Sequence, residues 1–331
     1  MKRALVVGSG SISKRHIRNL RSQFPHADVV CVSSSGRTLT ASEVGATEIS
    51  DTISEALANT PDIAIVASPA KFHLSHAQMI LQAGVPVLIE KPLCVELSDV
   101  STLSLDNRKT KIGVGYNLRF MPAAQVVKKI LREGDIGQIS TVFSEVGQFL
   151  PDWRPGVDYK EGVSARKELG GGALLELSHE LDYLSWFFGD FSKISAITRN
   201  SNTLNIDVED SVDALLTNDQ GTVFHLHLDF LQRSPSRSFK AIGTKATLVW
   251  DLLANEVKLL KPGKESQLVF SDPGYDRNEM YVEQLRAFIG FSKDISEFGS
   301  TLESGIEVMR LVEAIRKSDA LKAWVNIEAI K

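Results

Sequence analysis

The chain has 331 residues, 43% hydrophobic and 24% charged, with a formal charge of −4 from 41 acids against 37 Lys and Arg. These values exclude a mostly disordered or fibrous chain, and so small a net charge argues against a dedicated nucleic-acid binder. The length suggests two domains at about 100–200 residues each.

The first 120 residues alternate short apolar runs with amphipathic stretches. Residues 4–7 form an apolar run ending in glycine, as a buried parallel strand does. The basic Met1-Lys2-Arg3 before it is not followed by an apolar run of the ~7–15 residues a signal peptide needs. Gly8-Ser9-Gly10-Ser11-Ile12-Ser13 comes next and opens a helix over 13–22. This is a G-x-G-x-x-G dinucleotide fingerprint with Ser13 in the third place. Its glycines permit a tight turn and the close approach of a pyrophosphate to a helix N-terminus. A second strand, 28–33, leads to Ser33, Ser34, Ser35, Gly36 and Arg37, where an NAD enzyme would carry an acid for the ribose 2′-hydroxyl. Hydroxyls plus a guanidinium suit a 2′-phosphate, so the loop favours NADP, with NAD as the alternative.

A helix over 54–58, a strand over 62–67, a helix over 74–83 and a strand over 85–89 come after it. Glu90-Lys91-Pro92 ends that strand, and a lysine there stands where open α/β sheets bind ligands. A helix over 97–105 and a strand over 111–115 complete a series of βαβ units, hence a doubly wound parallel sheet. Cys31 and Cys94 cannot form a disulfide framework and read as buried thiols of a reducing, cytoplasmic compartment. No run of ~18 apolar residues spans a membrane.

Past residue 120 the pattern changes, which sets the expected boundary between a domain 1–120 and a domain 121–331. A helix over 123–133 and an extended stretch over 138–149 precede a glycine-rich start to one long apolar helix, 170–188. Glu176, His179 and Asp182 fall at i, i+3 and i+6 on that helix, so the acids can set the tautomer and basicity of the histidine for proton transfer. Runs over 194–198, 211–216, 222–230, 239–242, 247–250 and 256–260 alternate in polarity, implying an α+β domain with a large, mostly antiparallel open sheet. Phe224, Leu226, Leu228 and Phe230 share one face of the clearest strand; His225, His227 and Asp229 lie on the other, read as a wet or subunit-facing side rather than a metal site. That face implies a homodimer or homotetramer. Helices over 278–288 and 303–317 and a strand near 323–327 end the chain. His16 and His26 show no usable pattern.

Together these residues resemble the Gfo/Idh/MocA family of oxidoreductases. The segments that carry the resemblance are the glycine loop; Ser68-Pro69 with His73; Glu90-Lys91-Pro92; Tyr116-Asn117-Leu118-Arg119-Phe120 with Pro122; Gly171-Gly172 with His179 and Asp182; and 313–318. The resemblance implies a Rossmann domain, a C-terminal sheet domain whose last helix packs back on the first, and NAD(P)-dependent chemistry on a hydroxyl or ketone of a sugar or nucleotide sugar. It implies that Lys91 and His179 face the reacting carbon, one polarising its oxygen and the other taking its proton, with the two roles interchangeable. It further implies that Gly8, Gly10, Ser11, Ile12, Ser13, Ser33, Ser34, Arg37, Ser68, Pro69, His73, Glu90, Lys91 and Asn117 hold the cofactor. Tyr116, Arg119 and Asp182 join Lys91 and His179 at the substrate. Asp152-Trp153-Arg154-Pro155 with Tyr159 is similar to members of cell-surface sugar biosynthesis, and Trp and Arg suit a sugar ring and an anion. The family's aspartate four residues before the histidine is replaced by Glu176, three before. A glycosidase using transient oxidation and a non-catalytic sugar sensor are the rival readings.

Overall fold

The structure, a computed structural model, describes residues 1–103 and 111–330. In chain order it contains β1 (Arg3–Val7), α1 (Ser11–Gln23), β2 (Asp28–Val32), α2 (Ala41–Val44), β3 (Glu48–Ser50), α3 (Ile53–Leu57), β4 (Ile63–Val66), α4 (His73–Gln82), β5 (Val87–Ile89) and β6 (Ile112–Val114). Next come α5 (Pro122–Glu133), β7 (Ile139–Gly147), α6 (Ala173–Glu176), α7 (His179–Phe188), β8 (Lys193–Arg199), β9 (Ser211–Thr217), β10 (Val223–Asp229), β11 (Ser236–Gly243), β12 (Thr247–Asp251), β13 (Glu256–Leu260) and β14 (Gln267–Ser271). The chain closes with α8 (Glu279–Ser292), α9 (Leu302–Leu321) and β15 (Val325–Asn326). The expected helix over 97–105 is a 3₁₀ segment, Leu97–Thr102, and its last two positions lie outside the described residues.

Two compact units result: 1–117 with 278–306, and 118–277 with 307–331. In the first, six parallel strands run in the order β3-β2-β1-β4-β5-β6. The central strands are buried on both faces, which is why they read as unbroken apolar runs. Order reverses between β1 and β4, and the carboxyl ends of β1, β4 and β5 share the edge where such sheets bind ligands. Residues 278–306 return to this unit, although the sequence pattern assigned everything past 120 to the second. It is α8 and the first residues of α9 that join it, not the last helix as a whole as expected; most of α9 belongs to the second unit. Asn278 exchanges amide hydrogen bonds with Asn19 of α1, and the Val114 N–H of β6 donates to the Ser300 carbonyl. A polar loop-to-helix junction gives no local sign of which sheet it will join.

The second unit is a nine-stranded sheet, β14-β13-β12-β11-β7-β10-β9-β8-β15, antiparallel except where β7 meets β10. One face carries an aromatic core in which Tyr183, Phe187 and Phe188 of α7 meet Phe224, Phe239 and Trp250 of the sheet. The other face is open, with Phe143, Ile197 and Leu215 exposed. The single long helix expected over 170–188 is two helices. Ser178 and Glu180 donate to Leu175 and Leu177, three residues back, so the ladder tightens at the junction and re-aims α7.

Candidate active site

At the end of β1 the backbone of Gly8 takes φ +124°, and a Cβ there would lie 2.4 Å from the Ala67 carbonyl oxygen, so only glycine fits. Gly10 precedes α1 without any side-chain cap, and no acid occupies the first turn. The space a Gly10 Cβ would enter is clear for 4 Å. The Ser11, Ile12 and Ser13 turn therefore presents the positive end of a thirteen-residue helix to a roomy site, which fits a pyrophosphate. Ser13 stands in the third glycine's place because its buried hydroxyl donates to the Ala67 carbonyl at 3.1 Å. Cys31 supports the same loop: its thiol, pushed up to about 11 by burial, donates to the Gly8 carbonyl at 3.2 Å.

The loop after β2 is organised by Ser33, whose Oγ accepts the Arg37 backbone N–H at 3.1 Å and lies 3.3 Å from the Ser35 hydroxyl. Ser34 is half-buried and Arg37 is exposed. Arg37 lies in electrostatic range of Glu43, whose carboxyl is held low chiefly by hydrogen bonds from Thr40.

Past β4, Ser68 shares a hydrogen bond with His76 Nδ1 at 3.0 Å, and Pro69 leads into a 3₁₀ turn. His73 does not reach outward as expected of a cofactor ligand. It is buried, with Nδ1 2.7 Å from the Pro92 carbonyl and Nε2 2.8 Å from the Ser68 carbonyl. Burial pushes its pKa down, against the two carbonyls, and the ring sits between the loops after β4 and β5. Glu90 is likewise turned inward: Oε1 lies 2.6 Å from His16 Nε2, and Oε2 accepts the Lys91 backbone N–H at 3.2 Å. Tyr116 is fully buried. Asn117, also buried, gives its side chain to the Tyr281 hydroxyl, whose pKa is raised first by burial and then by the Glu90 charge.

In the second unit Glu176 ends α6 and His179 begins α7, both half-buried. Gly172 takes φ +109°, a conformation side chains rarely adopt, and a Cβ would lie 2.2 Å from Glu209 Oε1, which accepts the Leu174 N–H at 3.0 Å. Asp182 departs from its expected place at the substrate. It is fully buried, and both carboxylate oxygens accept from Arg119, at 3.1 and 3.0 Å from Nε and 2.7 Å from Nη2. Burial pushes the Asp182 carboxyl up, and the guanidinium opposes the push. Arg119 is thereby committed to holding α7. Glu180 is equally buried and takes two hydrogen bonds from Arg237, at 2.7 and 3.0 Å. Trp153 Nε1 donates to the Gln148 carbonyl and the Tyr159 hydroxyl to that of Leu204, while Arg154 is exposed. On the open face, His227 lies between Asp213 (2.7 Å) and Asp229 (2.9 Å), and His225 stacks on Phe143.

His16, His76, Glu180, Glu209 and Tyr281 were not singled out by sequence. His16 alone had a legible signal: it falls three residues after Ser13 and beside Ile17, on the buried stripe of α1. His76 pairs with nearby Ser68, while Glu180, Glu209 and Tyr281 pair with residues distant in sequence.

A parallel sheet of this strand order, with a glycine loop at its reversal point, defines a dinucleotide-binding unit. Residues 2–116 match the description "Oxidoreductase family, NAD-binding Rossmann fold", and 124–249 match "GFO/IDH/MocA C-terminal domain". The chain belongs to the Gfo/Idh/MocA oxidoreductase family. It is 26% identical to 1,5-anhydro-D-fructose reductase of Ensifer adhaerens over 287 residues, 83% of each chain. It is also 26% identical to scyllo-inositol 2-dehydrogenase (NADP(+)) IolW of Bacillus subtilis, over 83% of this chain and 82% of that one. A 33% match to the uncharacterized oxidoreductase sll0816 of Synechocystis spans 44% of this chain and only 39% of that protein. Among solved structures, the WlbA dehydrogenase of Bordetella pertussis in complex with NADH and UDP-GlcNAcA superposes with a TM-score of 0.83 at 23% identity, covering 98% of both chains.

Proposed function

We propose that the chain is an NADP(H)-dependent oxidoreductase interconverting a hydroxyl and a ketone on a sugar or nucleotide sugar. The observation that carries the reading is Lys91, which stands next to Glu90 at the carboxyl end of β5, on the sheet edge that bears the glycine loop. A bound nicotinamide would supply hydride transfer at the carbinol carbon, alcohol and NADP⁺ giving ketone and NADPH with the hydroxyl proton passing to a base. The Gly8–Ser13 turn would hold the pyrophosphate, and Ser33, Ser34 and Arg37 the 2′-phosphate. Lys91 would donate to the substrate oxygen and stabilise its developing charge. His179, at the first position of α7, would take the hydroxyl proton on a ring nitrogen, with Glu176 close by in sequence to bias it. Arg154 and the face of Trp153 remain candidates for the sugar, because the Trp153 indole N–H is already bonded. The named activities of the relatives, on anhydrofructose and inositol, support a polyhydroxylated ring as substrate.

The open sheet face, with a hollow of about 360 Å³ between Phe143, Ile197 and Leu215, supports a homodimer or homotetramer, and the two buried cysteine side chains, Cys31 and Cys94, support a cytoplasmic location. The test is absorbance of NADPH and NADH with 1,5-anhydro-D-fructose, scyllo-inosose and a UDP-linked 3-keto sugar. Turnover with one of them is expected, and His179→Asn should remove an ionisation from the kcat/KM profile. An unchanged profile in that variant assigns the base elsewhere.

A further inference from the structure

We propose that His16 is a positioning residue for Lys91, acting through the Glu90 carboxylate. The proposal rests on the catalytic reading of Lys91. His16 is fully buried in α1, six residues past Gly10, and is 2.6 Å from a carboxylate that is itself 7% exposed. A buried charge is costly unless paired and hydrogen-bonded, so an apolar residue would serve better if packing were the only task at position 90. Instead each oxygen has a separate partner: Oε1 takes the His16 ring, and Oε2 takes the main-chain N–H of Lys91. Space is reserved for this arrangement, since a Cβ on Gly115 would lie 2.8 Å from Oε2 and 3.0 Å from Glu90 Cα.

The ring chemistry agrees. His16 Nδ1 is buried and has no hydrogen-bond partner among the described residues, so the side chain's polar contact is the one from Nε2, which donates to the carboxylate. Tyr281 packs edge-on against the imidazole at 6.1 Å and 74°, with Arg15 over its own ring at 4.5 Å, which fixes the imidazole plane. The chain of bonds thus runs from the helix that receives the pyrophosphate, through one carboxylate, to the peptide from which the Lys91 side chain departs. Its effect is to hold that side chain at one angle; a displacement of about 1 Å at a reacting group costs up to ~100-fold in rate.

The test compares His16→Leu, which removes the donor and keeps bulk, with His16→Gln, whose amide nitrogen replaces Nε2. With ¹⁵N-lysine-labelled chain and no cofactor, the Lys91 amide should exchange at least about tenfold faster in His16→Leu and at nearly the wild-type rate in His16→Gln, as expected when one local hydrogen bond is lost. NADPH affinity by fluorescence titration should stay within about threefold, while kcat falls about 10–100-fold. If His16→Leu does not fold, Glu90→Gln decides by the same two readouts. Unchanged Lys91 exchange, equal losses in Leu and Gln, or a parallel loss of NADPH binding overturns the proposal and makes His16 ordinary core. Normal turnover in Lys91→Ala would instead sink the catalytic reading of Lys91, leaving the exchange result to judge His16 by itself.

Discussion

Two buried carboxylates flank the residues assigned to chemistry, and they are held in opposite ways. Asp182, three residues past His179, is gripped by a permanently charged guanidinium through three hydrogen bonds. Glu90, next to Lys91, has a histidine ring on one side and a peptide N–H on the other. The first arrangement is a lock: a planar guanidinium bonded to both carboxylate oxygens, fastening α7 to the turn that carries Arg119. The second joins a helix to a strand end with one hydrogen bond per oxygen, and can aim a neighbour. The same residue class, buried in both places, is structural in one unit and directional in the other because its partners differ.

The contrast can be broken most directly at the lock. Asp182→Ala leaves Arg119 buried without its counter-ion and should cost about 3–5 kcal/mol in urea unfolding, the range for breaking a buried pair. A loss below about 1 kcal/mol would show that Arg119 finds water or another partner, and that the pair is not a lock. Lys91→Ala tests the other carboxylate's side. Turnover should drop by about 10²-fold or more, the scale of a lost oxyanion donor, with NADPH binding intact and little change in stability.

Two further measurements sharpen the contrast by using an arginine and a histidine in less buried settings. Arg37, unlike Arg119, is exposed on its loop and remains available to a ligand. Arg37→Ala should weaken NADPH by about 10–100-fold, from a charged hydrogen bond of ~1.5–3 kcal/mol, and barely alter NADH. Equal wild-type affinities for the two cofactors would make this loop a plain turn. His227, unlike His16, has two aspartates, whose hydrogen bonds and charges raise its pKa from 6.5 to about 9. Its folded pKa is the higher one, so its stabilisation is complete below pH 6.5 and fades as pH rises through about 9. The wild-type melting temperature should therefore fall towards that of His227→Gln over this window; a constant gap would show that the ring stays neutral throughout.

Much of the first unit was legible because its signals are local. An apolar run, a glycine pair and a helix in succession define a βα turn, and the absence of an acid after β2 can be read from five consecutive residues. The alternation over 222–230 likewise gave β10 its buried and open faces, since the side-chain period of a strand is two and needs no partner to be seen. Ser13 could be read as a departure but not explained, because the carbonyl that accepts its hydroxyl belongs to Ala67, 54 residues on.

What only tertiary structure decided are the pairings of polar groups across long separations. Sequence spacing put Glu176, His179 and Asp182 on one helix as a catalytic trio; the tightened junction at Ser178 splits the helix, and burial sends Asp182 to Arg119, 63 residues away. His16 looked like a stray histidine until the fold brought Glu90 to within 2.6 Å of it across 74 residues. The return of 278–306 to the first unit belongs with these. A chain's apolar pattern is set by which face is buried, and that is written locally. The partner of a buried charge is set by which elements the fold brings together, and no periodicity records it.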